Sequence, residues 1–364
     1  MTIRDLQNSF AAWRADGKPL VLASVFETEG STYSKSGARM LINADGTFQG
    51  MLSGGCLEGD LAERAMSVLA SNVPQSVTYD LGKNDQDLWG LGVGCDGVMR
   101  IFLQPLLPER GYEPFAAMCK VLAGDAAGVA VTVLDASEDI APGATLVLQD
   151  NEVVASDAPE GLHETLLAAA RLAAAERRST TRMVDAGSQR LKVLTALLLP
   201  PPRLLILGAG LDAQPVLRLA TELGWRATVQ DHRPAYIERG DFATAEETIC
   251  VPAERLAEHV ALDLHDAVIV MSHHLATDRK YLELLARSDI PYIGLLGPPD
   301  RRARLMEDLG DTARSLKQRL HGPAGYDIGA DGPASIALSI LAEIHAELKK
   351  GTREASLSAA ATPG

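Results

Sequence analysis

The chain has 364 residues, more than a single hydrophobic core usually serves, so its length predicts two domains. Hydrophobic residues make up 46% and charged residues 23%, which is the balance of a globular protein and excludes a disordered, collagen-like or coiled-coil chain. The formal net charge of −14 excludes broad binding to nucleic acid or to an anionic membrane, because both need a basic face. An anionic ligand must therefore be held by a local feature such as a helix N-terminus.

The four cysteines, Cys56, Cys95, Cys119 and Cys250, are too widely spaced for a Cys-x-x-Cys pair or a zinc-ligand pattern. Residues 1–14 carry charges where a secretion signal needs an apolar stretch, and no apolar run reaches the roughly 18 residues of a membrane span. We therefore expect a cytoplasmic protein with reduced cysteines that binds neither nucleic acid nor membrane.

The first half of the chain mixes helices and strands without a regular alternation. Apolar spacing at helical period predicts helices at 3–15, 57–70, 114–122 and 162–176. Short apolar runs bounded by turn residues predict strands at 20–26, 38–42, 48–52, 76–79, 98–103, 129–134, 144–149, 152–155 and 190–199. Three prolines at 200–202 then stop the last strand and mark a domain boundary.

After the prolines, strands and helices alternate, which predicts a parallel, doubly wound sheet. The predicted strands are 203–207, 227–230, 248–251, 267–271 and 291–294, and a closing helix is predicted at 333–350. The predicted fold is α/β, with a mixed α+β domain at 1–199, a Rossmann-like domain at 200–350 and a disordered tail at 351–364.

The segment from Gly208 to Ala213 fits the pattern G-x-G-x-x-A between a strand and a helix, which is typical of dinucleotide binding. Gly208 and Gly210 allow a tight turn, and the helix N-terminus offers N–H groups to a phosphate. Asp231, at the end of the next strand, is predicted to bind ribose hydroxyls, which favours NAD-like or cytidine-bearing ligands over NADP. A Rossmann-like sheet without a nucleotide is the alternative, and Asp212 counts against tight binding because its charge lies near the expected phosphate.

The segment Ser272-His273-His274 ends the fourth strand of this half, at the edge where open α/β sheets bind ligands. Neighbouring side chains of a strand point to opposite faces, so the two histidines do not predict a shared metal site. We expect a structural or helix-capping role for one histidine, and His273 is kept as a candidate ligand contact.

The turn Ser53-Gly54-Gly55-Cys56 lies between a strand and the helix that follows, near Glu58. Its glycines leave the backbone open to a ligand, and the helix N-terminus favours both a bound anion and a thiolate. We interpret the turn as an anion cradle with a reactive thiol. The alternative is a glycine-rich turn with a small buried cysteine.

A second glycine-rich turn carries Cys95, which we expect to face the same ligand as Cys56, whereas Cys119 and Cys250 are predicted core residues. A serine-rich segment, 29–34, joins two strands and is followed by Arg39. Arg39 is predicted to pair either with a phosphate or carboxylate ligand or with a structural carboxylate.

Taken together, these segments resemble the XdhC/CoxI family of xanthine dehydrogenase accessory proteins, in the family's order from about residue 18 to 350. In the first half the resemblance is carried by Glu27-Thr-Glu-Gly-Ser-Thr32, Gly37-Ala-Arg-Met-Leu41 and Gly54-Gly-Cys-Leu-Glu58. In the second half it is carried by Leu207-Gly-Ala-Gly210, Val229-Gln-Asp-His-Arg-Pro234, Tyr292-Ile-Gly-Leu-Leu-Gly297 and Asp327-Ile-Gly-Ala330.

The resemblance implies a chaperone that binds the molybdenum cofactor, as molybdopterin or its cytosine dinucleotide form. It implies support for sulfuration of the cofactor and its insertion into a molybdenum hydroxylase of the xanthine dehydrogenase type. The implied partners are the hydroxylase apo-enzyme, a cysteine desulfurase, a cofactor nucleotidyltransferase and further copies of the chain. Cys56 and Cys95 match recurrent family cysteines and are the expected contacts to molybdenum or sulfur, in keeping with the softness of thiolates.

The candidate cofactor-binding residues of both halves are Arg39, Ser53, Gly54, Gly55, Cys56, Glu58, Cys95, Gly208, Gly210, Asp231 and His273. The chain departs from the family pattern at Tyr33-Ser34-Lys35, where a Pro-Arg pair is common, at Ser53, which replaces a glycine, and around Cys95. Two alternatives use the Rossmann half: an NAD(P)-dependent oxidoreductase or a nucleotide-sensing scaffold. The absence of a Tyr-x-x-x-Lys pair near the fingerprint weakens the oxidoreductase.

Overall fold

The computed structural model describes residues 2–80, 97–135, 140–187 and 189–360, with side chains up to Lys350. The chain divides into two compact units, one of residues 1–200 with 355–364 and one of residues 201–354. The domain boundary predicted at 199/200 falls beside this division. Within the described ranges, no helix is long and apolar enough to cross a membrane.

The first unit contains two five-stranded antiparallel sheets. The first sheet has the spatial order β3-β2-β1-β5-β4 and consists of β1 (Leu20–Glu29), β2 (Arg39–Asn43), β3 (Phe48–Gln49), β4 (Gln75–Asp80) and β5 (Val98–Leu106). The second has the order β8-β7-β6-β10-β9 and consists of β6 (Gly128–Asp135), β7 (Thr145–Gln149), β8 (Glu152–Ser156), β9 (Thr180–Ala186) and β10 (Gln189–Leu198).

Four helices cover these sheets: α1 (Ile3–Ala15), α2 (Glu58–Ser71), α3 (Phe115–Ala123) and α4 (His163–Glu176). Thr2 and Asp5 form a reciprocal capping box that fixes the start of α1. On one face of the first sheet, α2 buries Leu61 and its apolar neighbours against Met40 and Ile42. The opposite face packs against α1 and α3, and α4 packs on the second sheet.

Three connections leave the first sheet from the same end. Glu29, the last residue of β1, pairs with Val98, which in turn pairs with Asp80 at the end of β4. Because β2 runs antiparallel to both β1 and β3, it begins at this end and β3 finishes there. The 30–38 connection therefore starts and finishes at this end of the sheet, the 50–57 segment leaves from it, and β4 ends and β5 begins there.

The second unit is a parallel sheet with the order β13-β12-β11-β14-β15-β16. Its strands are β11 (Arg203–Leu207), β12 (Arg226–Asp231), β13 (Glu247–Cys250), β14 (Ala267–Val270), β15 (Tyr292–Leu295) and β16 (Leu320–His321). Its helices are α5 (Ala213–Glu222), α6 (Pro234–Arg239), α7 (Leu256–His259), α8 (Leu275–Leu285), α9 (Pro299–Leu309) and α10 (Pro333–Ala360). Apolar clusters cover both faces of the sheet, and the strand order reverses between β11 and β14, where Rossmann folds bind nucleotides.

The predicted fold class is confirmed: a mixed N-terminal part precedes a parallel, doubly wound sheet. The sequence did not predict β9 or β16, and α10 extends to Ala360, into the segment predicted as a disordered tail. Cys250 was predicted to lie in the core, but it is exposed because β13 is an edge strand.

Candidate functional site

The loop that precedes α2 is folded around the carboxylate of Glu58. This side chain is 2% exposed. Its oxygens accept hydrogen bonds of 2.8 to 3.2 Å from the backbone N–H groups of Leu52, Ser53, Gly55 and Leu57. The Ser53 hydroxyl donates a further bond of 2.6 Å. An anion cradle is therefore present, but the protein's own carboxylate fills it.

This arrangement changes the roles that the sequence predicted for Ser53, Gly55 and Glu58. Their polar groups are engaged with one another because the Glu58 side chain turns back from the first residue of α2 into the loop. Burial alone would raise the pKa of Glu58, but hydrogen bonds from Ser53 and the loop backbone outweigh it and lower the pKa. Glu58 is thus ionised at neutral pH and fixes the shape of the loop.

The groups left available in this loop surround Cys56. Among the hydrogen bonds of the described residues, none uses the N–H groups of Gly54 or Cys56, and the Cys56 side chain is half-buried. Gly54 has a φ of +83°, which favours glycine, and the Tyr33 ring lies against it, 3.5 Å from where a Cβ would be. Tyr33 is 63% exposed. The Cys56 loop therefore presents a thiol and two N–H donors, and the exposed Tyr33 ring of the neighbouring segment lies beside them.

Cys95 lies outside the described residues. Two residues later, Gly97 packs closely against the 29–34 segment. A Cβ on Gly97 would overlap the carbonyl of Ser31 and the side chain of Thr32. The same segment contributes Tyr33, which touches Gly54. The 29–34 segment thus contacts both the Cys56 loop and Gly97, directly before β5.

Arg39 is directed away from the Cys56 loop. Side chains alternate along β2, so Arg39 shares a face with Leu41, whereas Met40 faces α2. Its Nη2 atom is buried without a hydrogen-bond partner among the described residues. Burial lowers the pKa of Arg39 to about 10, and the nearby thiol of Cys119 has its own pKa raised by burial to about 12.

Replacement of Arg39 by methionine is expected to raise the free energy of unfolding at pH 7 by about 1–2 kcal/mol, because it removes a buried charge without a partner. The lowered pKa means that the charged form is disfavoured in the folded state. That cost is present at every pH below about 10 and is relieved as the pH rises from there towards the ordinary value of 12.5. Urea denaturation at pH 7 measures the gain, with Arg4→Met at an exposed position as the control. A loss of stability in Arg39→Met alone would contradict this account.

The glycine-rich turn of the second unit carries both structural contacts and free donors. A Cβ on Gly208 would lie 2.5 Å from the carbonyl oxygen of Met271, so this glycine is required by the neighbouring chain. The Gly208 N–H donates to the Gln230 carbonyl. Within the described ranges, the N–H groups of Gly210, Leu211 and Asp212 have no partner, and they stand at the start of α5.

The carboxylate of Asp212 pairs with His273, with 2.6 Å between Oδ2 and Nε2. His273 adopts a φ of +60°, an unusual conformation for a histidine, and lies directly after Ser272 beyond β14. The ring of His274 is turned instead to the Thr277 hydroxyl, 2.9 Å away in the first turn of α8. His274 thus makes a structural contact, and His273, expected as a ligand contact, is paired with a carboxylate of the protein.

Asp231 is 1% exposed and fully engaged. Oδ1 accepts the backbone N–H and the Nε of Arg233, both at 2.9 Å. Oδ2 accepts the N–H of Ala209 at 2.8 Å and Nη2 of Arg233 at 2.7 Å. A carboxylate has about four acceptor positions, so none is left for the ribose hydroxyls that the sequence assigned to it.

Sequence reasoning missed Arg233, although an arginine two residues after the acid was a visible signal. It also missed Asp278, a buried carboxylate that accepts the Ser272 hydroxyl and two nitrogens of Arg301 and so holds the end of β14. No spacing rule links these three residues. Within the described part of the chain, no group of three or more His, Cys, Asp or Glu side chains is arranged to hold a metal.

Two family models match the chain. The model described as the XdhC and CoxI family matches residues 13–80, and the XdhC Rossmann domain matches residues 204–344. These ranges contain the Cys56 loop and the glycine-rich turn, respectively.

Two curated proteins and one solved structure are similar over most of the chain. A probable xanthine dehydrogenase subunit from Bacillus subtilis is 32% identical over 333 residues, which cover 90% of this chain and 93% of that protein. The molybdenum cofactor insertion chaperone PaoD of Escherichia coli is 23% identical over 330 residues, covering 90% and 83%. A crystal structure of a xanthine dehydrogenase from Bacillus halodurans superimposes with a TM-score of 0.75 at 29% identity and covers 96% of both chains.

Proposed function

Because the chain belongs to the XdhC and CoxI family, we propose that it is an accessory protein that binds the molybdenum cofactor and delivers it to a molybdenum hydroxylase of the xanthine dehydrogenase type. The resemblance found in the sequence is thereby confirmed at the level of the family. The observation that carries the proposal is the loop around Cys56: Glu58 holds its shape, and its thiol and two of its N–H groups have no partner among the described residues. The name of the similar E. coli chaperone supports the same cargo.

The chemistry of the loop suits this cargo, which combines a sulfur-held molybdenum, a flat pterin and a phosphate. The Cys56 thiolate is a soft donor for molybdenum or its sulfur. The N–H groups of Gly54 and Cys56 can donate to anionic oxygens, and the exposed Tyr33 ring offers a face for the pterin. Glu58 is a positioning residue that keeps these groups in place and does not itself touch the cargo.

The proposal extends to Cys95 as a second thiol for the same cargo. Two observations support this. Asp80 at the end of β4 and Val98 at the start of β5 lie at the end of the first sheet from which the Cys56 loop leaves, and Gly97 contacts the 29–34 segment. Support for sulfuration, with a cysteine desulfurase and a nucleotidyltransferase as partners, and delivery of either molybdopterin or its cytosine dinucleotide form belong to the same proposal. Arg39, a candidate phosphate contact in the sequence, is left out of the proposed site because its side chain is directed away from the Cys56 loop.

Production of a molybdenum hydroxylase in cells with and without this chain tests the proposed function. We expect the hydroxylase to accumulate to the same level in both, but to lose most of its molybdenum and activity without the chain. Metal analysis of the purified hydroxylase measures this, and re-expression of the chain is the control. Equal molybdenum contents in the two preparations would refute the accessory role.

The structure weakens the case for the alternative function, an NAD(P)-dependent oxidoreductase. It relied on Asp231 as a ligand for the ribose of NAD, and that carboxylate has no acceptor position free. The segment around the fingerprint also lacks a Tyr-x-x-x-Lys pair for hydride transfer, which is the stronger argument against an oxidoreductase.

A further inference from the structure

Arg233 follows the end of β12 in the second unit, the position at which a Rossmann fold binds the ribose of a nucleotide. It uses two of the five N–H donors of its guanidinium on Asp231, and the other three have no partner among the described residues. The guanidinium stacks on the Tyr236 ring with 3.5 Å between Cζ and the ring centroid, and the side chain is 31% exposed. Arg233 is thus held in a fixed orientation, and three of its N–H donors remain available to a ligand.

The groups in contact with Arg233 include no exposed carboxylate among the described residues. His232 is adjacent, partly exposed, with its Nδ1 atom 3.5 Å from Asp231. The negative charge of Asp231 is enclosed by Ala209 and Arg233 and does not reach the surface. The ribose end of the crevice therefore presents hydrogen-bond donors where an NAD-binding site presents a carboxylate.

The other end of the crevice offers hydrogen-bond donors to a pyrophosphate. Three successive N–H groups, from Gly210 to Asp212, stand at the N-terminus of the ten-residue helix α5 without partners in the described part of the chain. The carboxylate of Asp212, which the sequence suggested would repel a phosphate, is hydrogen-bonded to the ring of His273. The strand order places both ends beside the point where the sheet reverses.

We propose that this crevice binds a dinucleotide with a phosphate on the ribose 2′ oxygen, of the NADP class, and discriminates against NAD. A 2′ phosphate accepts hydrogen bonds from the spare donors of Arg233, whereas a ribose diol finds no acceptor because Asp231 is saturated. The preference is the reverse of the one that Asp231 suggested in the sequence. This inference is independent of the proposed delivery of cofactor.

Calorimetry on the full chain tests the inference. NADP⁺ is expected to bind about tenfold or more tightly than NAD⁺, the effect of one or two charge-assisted hydrogen bonds. Adenosine 2′,5′-bisphosphate compared with adenosine 5′-phosphate isolates the contribution of the 2′ phosphate and is expected to show the same ratio. Equal affinities, tighter binding of NAD⁺, binding of cytidine 5′-phosphate in preference to NADP⁺, or no binding of any nucleotide would each overturn it.

A variant then assigns the preference to Arg233. Arg233→Lys keeps a positive charge opposite Asp231, so the fold is retained, but it removes the planar fork of donors. It is expected to weaken NADP⁺ binding by about tenfold and to leave NAD⁺ binding unchanged. Arg239→Lys, at the exposed last residue of α6, the helix that Arg233 precedes, is the matched control. Unchanged NADP⁺ affinity in Arg233→Lys would overturn the assignment.

Discussion

Replacement of Glu58 by glutamine is expected to lower the free energy of unfolding at pH 7 by about 3 kcal/mol, because buried N–H groups lose their acceptor. Glutamine has the same shape, but its amide NH₂ cannot accept the hydrogen bonds that Gly55 and Leu57 donate to one carboxylate oxygen. The loop should then open, and alkylation of the Cys56 thiol should change in rate. Urea denaturation and maleimide labelling measure the two effects.

The pH dependence follows from the lowered pKa of Glu58. The stability that its carboxylate contributes is fully present above the unfolded pKa of about 4.3 and is lost as the pH falls through the lower folded pKa. The difference between the wild type and Glu58→Gln should thus be constant near neutral pH and vanish in strong acid. Glu63→Gln, at an exposed position of α2, is the control. Equal stability of wild type and Glu58→Gln at pH 7 would show that the loop does not depend on this carboxylate.

Replacement of Cys56 by serine is expected to reduce cofactor retention about tenfold or more, since even residues that only support a metal ligand cost 10–100-fold in affinity. The thiol is half-buried and makes no hydrogen bond in the described structure, so the fold should be unaffected. Molybdenum analysis and pterin fluorescence of the purified proteins measure retention, and thermal denaturation checks the fold.

Cys250→Ser is the matched control, because Cys250 is an exposed thiol on the edge strand β13 of the other unit. It should retain as much cofactor as the wild type. If Cys56→Ser also retains the wild-type amount of cofactor, Cys56 does not hold the cofactor, and the binding site lies elsewhere on the chain.

The Rossmann half could be predicted closely because its strands are buried on both faces and appear as continuous apolar runs. Residues 203–207 were predicted as a strand, and β11 has the same bounds. In the first half, β9 was missed because this edge strand is half-exposed and lacks apolar alternation. The division into two sheets depends on pairings between distant strands, such as β1 with β5, that no local pattern contains.

Side-chain roles were harder to predict than elements. The type and place of the Cys56 turn were correct, but nothing in its spacing showed that Glu58 would reach back and fill it. By contrast, strand alternation with Met40 and Leu41 could have predicted the direction of Arg39, and the nearby Arg233 could have predicted the pairing of Asp231. A polar residue's role thus depends on whether the protein already supplies its partner.

The most direct test of cofactor binding is the molybdenum and pterin content of the wild-type chain, purified by gel filtration from cells that make the cofactor. We expect molybdenum and pterin to elute with the chain in equal molar amounts, and isolated molybdopterin to bind the stripped protein. A chain that elutes without either component and does not bind added molybdopterin would contradict the account.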